Sequence, residues 1–445
     1  MICRLSEKSQ DAIVDALDYQ EMPDTQTCIE SARWSIANLQ NALLENGPWE
    51  FVLTNDSSSY LNLQRTYLVY TFKIVDENNK AIDVLGTDGK IKNAYAPINN
   101  IAHSIVKSYT LHINSQAVYR DTANHAYKNY LEKTLTYDRS PKSSTLTGAG
   151  YHFEEEIGKE TGDGYKKRCA MVANGREYQV AANLSIDLFK QPRPLVNGCN
   201  VKLTVYPNNS EFLIEALKPK ESTIKYKFVI TGVYAMIHEY KLTEKLTLEM
   251  EKSLLAHNLF QYPMISTELR TFYIEQNRLD APANIIFNGK IPRRVFVGLV
   301  SSDSYNGTYD TSPFDFRPFN LKNIQLDYCG TTVPGRAMPL DFSKGKCVEA
   351  YQYLLETCGA MRSESGNAIS YEMFQNGGYT IFGFELCPLA QNKEMFNLVR
   401  TSTVSLQLDF AEKTPSGGLY CIVFGEFDSI FSIDSNRNPI LDAVQ

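Results

Sequence analysis

The sequence is poor in the features that mark many functions. Its cleanest apolar run, Leu419 to Gly425, has seven residues, against about 20 for a membrane-spanning helix. The opening MICRLSEKSQ has no apolar core of the kind a signal peptide carries. Both absences predict a soluble chain that is not exported through a cleaved signal. The sequons at Asn55, Asn183, Asn208 and Asn306 then read as chance matches. The nine cysteines (Cys3, Cys28, Cys169, Cys199, Cys329, Cys347, Cys358, Cys387, Cys421) are odd in number, scattered and without a CxxC pair. That pattern predicts free thiols in a reducing compartment. No basic excess exists: 44 Lys and Arg stand against 51 Asp and Glu, a net charge of -7, which argues against a broad nucleic-acid surface. Tryptophan is limited to Trp34 and Trp49, whereas 27 Tyr and 22 Phe give an aromatic balance suited to strands.

Catalytic patterns are missing too. His103, His112, His125, His152, His238 and His257 are dispersed, with no HExxH or Cys/His ligand spacing. No GxSxG elbow supports a nucleophilic triad. Gly148, Gly150, Gly158, Gly162 and Gly164 lie near Lys166, Lys167 and Arg168, but a phosphate loop starting at Gly158 would need glycine where Asp163 stands. The cluster reads instead as a mobile surface loop of mixed charge. Glu154, Glu155 and Glu156 are consecutive, and glycosidic cleavage needs two carboxyls facing across a cleft; a solvated loop is the simpler reading. Asn197-Gly198 reads as a tight connection, and Arg293 and Arg294 as solvated residues at a strand entry. The sequence assigns no catalytic residue, no cofactor-binding residue and no metal ligand.

Ile29, Ala32, Ile36, Leu39 and Leu43 recur at helical spacing and predict an amphipathic helix after a flexible arm at MPDTQT (22–27). From Trp49 the texture is that of strands: 66–75, a hairpin over 108–119 with Asn114-Ser115 at its tip, 200–210, 226–237, 293–300, 323–333, 379–386, 403–410 and 419–427. Many short strands with turns between them predict an all-β sandwich or barrel. The halves also match in order. AYKNYLE (126–132) parallels AYQYLLE (350–356), VKLTVY (201–206) parallels VSLQLDF (404–410), and VITGVYA (229–235) parallels IVFGEFD (422–428). A duplicated β-domain follows. Each half holds one long interruption, about 120–175 and 334–378, and the stretch Asp138 to Asn174 reads as exposed and mobile.

The runs GPWEFVLTNDSSSYLNLQRTYLVYTFKIV (47–75), NNIAHSIVKSYTLHINSQAVY (99–119) and NLSIDLFKQPRPLVNGCNVKLTVY (183–206) resemble double jelly-roll major capsid proteins. The most specific stretch is 284–330, with GKIPRRVFVGLV (289–300), the turn Tyr305-Asn306-Gly307, and the run Pro313-Phe314-Phe316-Phe319-Asn320-Leu321. The resemblance is to capsid proteins of Polinton/Maverick elements and adintoviruses, in the adenovirus-hexon-like lineage. It implies two tandem eight-stranded jelly-roll barrels with short helices in the long loops. The parts would be an N-terminal arm (1–46), a first roll (47–241), a linker (242–259) with a helical turn near Glu249 to Leu255, a second roll (260–435) and a tail (436–445). It implies no enzyme activity and no cofactor. It implies a homotrimer of pseudo-hexagonal outline that assembles into an icosahedral virion shell inside the host cell, with a single jelly-roll penton or minor capsid protein as partner. Specific nucleic-acid binding is not part of that picture. Phe314, Phe316 and Phe319 are candidates for the trimer contact or for packing inside their own barrel. The competing reading, from another class, is a two-domain β-sandwich that binds or hydrolyses carbohydrate.

Overall fold

The computed structural model describes residues 8, 14–54, 56–82, 94–121, 123–217, 225–336, 338–392 and 394–442. Cys3 and Asn55 lie outside them. The first half supplies β1 (Ile29–Asn38), β2 (Trp49–Val52), β3 (Tyr67–Asp76), β4 (Val106–Ile113), β5 (Gln116–Arg120), β6 (Tyr178–Asn183), β7 (Val201–Pro207) and β8 (Tyr226–Leu242). The second supplies β9 (Phe260–Ile274), β10 (Asp280–Lys290), β11 (Arg294–Ser301), β12 (Leu321–Tyr328), β13 (Thr331–Val333), β14 (Ile381–Glu385), β15 (Thr401–Phe410) and β16 (Leu419–Ile433).

Strand composition and alternation explain the layers. On β3, Leu68, Tyr70, Phe72 and Ile74 are fully buried, while Tyr67, Thr71 and Lys73 between them are not. On β7, Val201, Leu203 and Val205 point the same way into the core. A strand's period of two gives each sheet one apolar inner face, and burying each such side chain contributes about 1.5–3 kcal/mol. Asn114 and Ser115 both take positive φ, 47° and 69°, the backbone that a two-residue hairpin turn requires.

The sheets run β1-β8-β3-β6 and β2-β7-β4-β5 in the first half, and β9-β16-β11-β14 and β10-β15-β12-β13 in the second. The two orders are identical when eight is added to each strand number, and each half is an eight-stranded jelly roll. The matched segments sit on equivalent strands: 201–206 on β7 and 404–410 on β15, 229–235 on β8 and 422–428 on β16. AYKNYLE and AYQYLLE lie in α1 (His125–Thr136) and α4 (Val348–Cys358).

The predicted helix over residues 29–43 is absent. Ile29–Asn38 is a strand that pairs antiparallel along β8, from Ile29 opposite Leu242 to Asn38 opposite Tyr234. The open amides and carbonyls of β8 need partners, and a helix this short gains little without a packed face. This strand lies in the stretch 1–46 read as the arm and forms one end of the sheet β1-β8-β3-β6. The linker is also more helical than a single turn: α3 spans Glu244–Leu255. In the stretch assigned to the tail, Pro439–Leu441 adds a short strand to β16.

Candidate functional site

The two long interruptions leave the rolls between β5 and β6 and between β13 and β14. The stretch Asp138–Asn174, expected as an exposed loop, is exposed only in part: Arg139, Glu155, Glu156, Lys159, Lys166 and Lys167 face solvent, while Lys142, Glu154 and Arg168 are buried. Its α2 (Asp163–Val172) carries Arg168, which is buried and donates to Glu154 Oε1 at 2.5 Å, to Glu215 Oε2 at 2.9 Å and to the Pro97 carbonyl at 2.7 Å. Burial opposes the charge on Arg168, but Glu154 and Glu215 outweigh it and hold the guanidinium protonated. Burial pushes the Glu154 carboxyl upward even beside that cation. A side chain at Gly164 would strike Glu154. That glycine serves close approach of α2 to this ion cluster, not phosphate binding.

The acidic run does not present facing carboxylates. Glu154 turns inward to Arg168, Glu155 pairs with Arg139 at 3.4 Å, and Glu156 pairs with Lys159 at 2.6 Å. Among the described residues, a mixed-charge cleft of about 760 Å³ separates the two insertions here, with Arg139, Lys159, Glu155 and Glu372 on its walls. His152 also lines it, and burial, aided by Arg168 and Lys167, depresses its imidazole to about 4.

The insertions are tied to each other. Tyr379 donates to the Glu154 carbonyl at 2.6 Å, and the Ile157 amide donates to the Gly377 carbonyl at 2.9 Å. Lys142 is buried and donates to the carbonyls of Thr134 at 2.8 Å and Asn367 at 2.6 Å. Burial lowers its ammonium to about 7.

The rolls meet through an equally buried contact. Asp187 of the first accepts from the Thr267 backbone amide and hydroxyl of the second. Lys190 bridges Asp187 and Glu132. Arg293 and Arg294, expected in solvent, are buried. Arg293 pairs with Asp428 at 2.7 Å, and Arg294 grips Glu426 through two hydrogen bonds of 2.6 and 3.1 Å. Phe314 and Phe316 are likewise interior. Phe314 stacks flat on Tyr130 of α1, centroids 4.0 Å apart, so neither ring is available to a neighbouring chain. Gly298 on β11 leaves room for the Phe316 ring, which would come within 2.5 Å of a Cβ there.

The fold brings two of the dispersed histidines side by side. His103 and His125 have ring centroids 6.3 Å apart, and His125 Nδ1 lies 2.9 Å from Asp121. Among the described residues no group of three or more His, Cys, Asp or Glu side chains is placed to hold a metal ion. The eight described cysteines are free thiols, and no helix among the described residues is long and apolar enough to cross a membrane.

No family model matches the sequence. The Caenorhabditis elegans protein named "Uncharacterized protein F54H12.2" is 54% identical over 424 residues, covering 95% of this chain and 100% of its own. The chain belongs to the same family as that protein. Its architecture recurs in solved viral structures. A chain of the Sputnik virophage has a TM-score of 0.67 at 10% identity, over 100% of this chain and 95% of its own. The Faustovirus major capsid protein scores 0.57 at 7% identity, over 97% of this chain and 93% of its own. The mavirus major capsid protein scores 0.56 at 13%, over 98% of this chain and 96% of its own. At such identities the likeness is one of fold, the double jelly roll.

Proposed function

We propose that this protein is a major capsid protein that forms homotrimeric capsomers of pseudo-hexagonal outline and tiles an icosahedral shell. The observation that carries the reading is the repetition of one eight-stranded topology twice in a chain, with both long insertions fused into one cap. Three such chains supply six similar units around a threefold axis, an arrangement that a heterologous contact closes into a ring. In this reading the rolls at 47–241, extended by the strand at 29–38, and at 260–435 are the building units. The linker at 242–259 joins them, and 436–445 is the tail.

The Polinton/Maverick and adintovirus group is the lineage the sequence resembles, and a relative in a nematode supports an element resident in animal genomes. The protein has no enzymatic role in this reading and does not bind nucleic acid specifically. It resides in the virion, assembles inside the host cell, and meets a single jelly-roll penton or minor capsid protein at the shell's vertices. The ion-paired state of Glu154, Glu155 and Glu156 favours this over a glycosidase, which needs two free facing carboxyls. Light scattering of purified protein is expected to give three times 50.3 kDa, and negative-stain microscopy to show hexagonal particles. A stable monomer at high concentration with no larger assemblies would refute the reading.

A further inference from the structure

Within the chain, the second roll meets the first through one side of a sheet. The outer side of β9-β16-β11-β14 carries Leu269, Phe424 and Phe296, all buried. Phe296 and Phe424 share a small cleft with Leu135 of α1. Next to them Thr267 takes hold of Asp187, on the segment that joins β6 to β7.

The equivalent outer side of the first roll, on β1-β8-β3-β6, carries Trp34, Ile36, Tyr67, Tyr234 and Met236. Pairing sets Trp34 beside His238, and Ile36 and Tyr67 on either side of Met236. These positions alternate with the core-facing Ala37, Leu68, Ala235 and Ile237. Trp34 is 48% exposed and Ile36 is 55% exposed. Of two equivalent sheet faces, one is covered by a roll of the same chain. The other is apolar, with Trp34 and Ile36 exposed and Tyr67, Tyr234 and Met236 half-buried. Contiguous apolar surface of this kind marks an association site.

The other half of the contact is duplicated too. The counterpart of the β6–β7 segment is the one joining β14 to β15. In place of the ion-paired Asp187 and Lys190 it displays Leu389, Met395, Leu398 and Val399, from 57% to 85% exposed.

We propose that a second copy of this chain covers the Trp34–Ile36 face with the β14–β15 segment of its second roll. The contact between chains then repeats the one between rolls within a chain. The two surfaces differ, so the interface is heterologous and propagates around a ring, and removing both apolar surfaces from water drives it. This inference rests on the trimeric reading above and names the surfaces through which the trimer forms.

The test uses the full-length chain with Ile36→Lys, Leu398→Asp and, as a control, Ile285→Lys on β10, whose side chain is 66% exposed. Mass is read by sedimentation velocity, folding by circular dichroism, and the interface by tryptophan emission. Trp49 is fully buried, so an emission shift on assembly reports Trp34. The wild type and the control are expected to sediment as trimers with blue-shifted emission. Ile36→Lys and Leu398→Asp are each expected to fall to 50.3 kDa with red-shifted emission and an unchanged dichroism spectrum, and mixing the two charges in one chain to recover trimer. A wild-type trimer that both variants leave intact overturns this inference and spares the trimeric reading. A wild type that stays monomeric overturns both. Trp34 shielded in a monomer and released by deleting residues 1–28 gives the face to the chain's own N-terminal segment and overturns the inference as well.

Discussion

Asp187 accepts two hydrogen bonds from Thr267, from its backbone amide and from its hydroxyl, each at 2.8 Å. One residue belongs to the first roll and the other to the second, so this carboxylate is a direct tie between the duplicated halves. Lys128 lies 3.2 Å from it and Lys190 lies 3.1 Å from it. Burial alone would raise its pKa, but Lys128, Lys190 and the Thr267 bonds prevail and hold it below the ordinary carboxylate value.

Replacing Asp187 with alanine is therefore expected to destabilise the chain by about 3–5 kcal/mol, because Lys128 is left buried without its counter-charge. The native pKa lies below the unfolded one. Asp187 thus contributes fully above the unfolded value, and the contribution fades as pH falls through the native value. Urea unfolding of wild type and Asp187→Ala should differ at neutral pH and converge in acid. Equal stability at neutral pH would remove Asp187 from the account of how the rolls are held.

Arg168→Met is expected to cost about 3–5 kcal/mol by stranding Glu154 and Glu215 in the interior. The same loss should loosen the first insertion. Trypsin is expected to spare residues 138–174 in the wild type and to cut there first in the variant. Rapid cleavage of this stretch in the wild type would bear out the picture of a mobile loop.

Phe314→Ala is expected to lose about 3–5 kcal/mol through the cavity left against Tyr130. Its oligomeric mass should equal that of the wild type, since the ring packs within its own chain. A variant of normal stability that dissociates would place Phe314 at a subunit boundary after all.

Lys142 gives a pH dependence of opposite origin. Its native value of about 7 lies below that of an unfolded lysine, so the unfolded chain binds the extra proton between the two values. Stability from this group therefore rises as pH climbs from about 7 toward about 10. Lys142→Met should abolish that rise, and should also weaken the tie to Asn367. Parallel stability curves for both proteins across this range would show that Lys142 is charged in the folded chain.

Much of the fold was legible in the sequence because it rests on short-range chemistry. The alternation in 66–75 and 200–210 marks which side of each strand is wet, and Asn114-Ser115 marks a turn by backbone preference alone. The repeated order of 126–132, 201–206 and 229–235 in the second half reveals duplication, since equivalent strands face equivalent surroundings. The segment 29–38 was misread for the complementary reason. Its 3-4 spacing is a local signal, while the open edge of β8 that recruits it lies about 200 residues further along and outweighs so weak a periodicity.

Burial of charge was the least legible property. Arg168, Arg293, Arg294 and Lys142 look like surface residues in sequence, because an ionised side chain enters the interior only when partners meet it there. Those partners, Glu154 and Glu215, Asp428, Glu426, and the carbonyls of Thr134 and Asn367, come from distant segments. The sequence alone determined the β-class, the duplication and the strand faces, all set by the period of side chains along a strand. Tertiary structure alone decided where β1 pairs, which charges are interior, and which of two equivalent sheet faces the other roll of the chain covers, because each depends on what a second, remote stretch of chain brings to the same place.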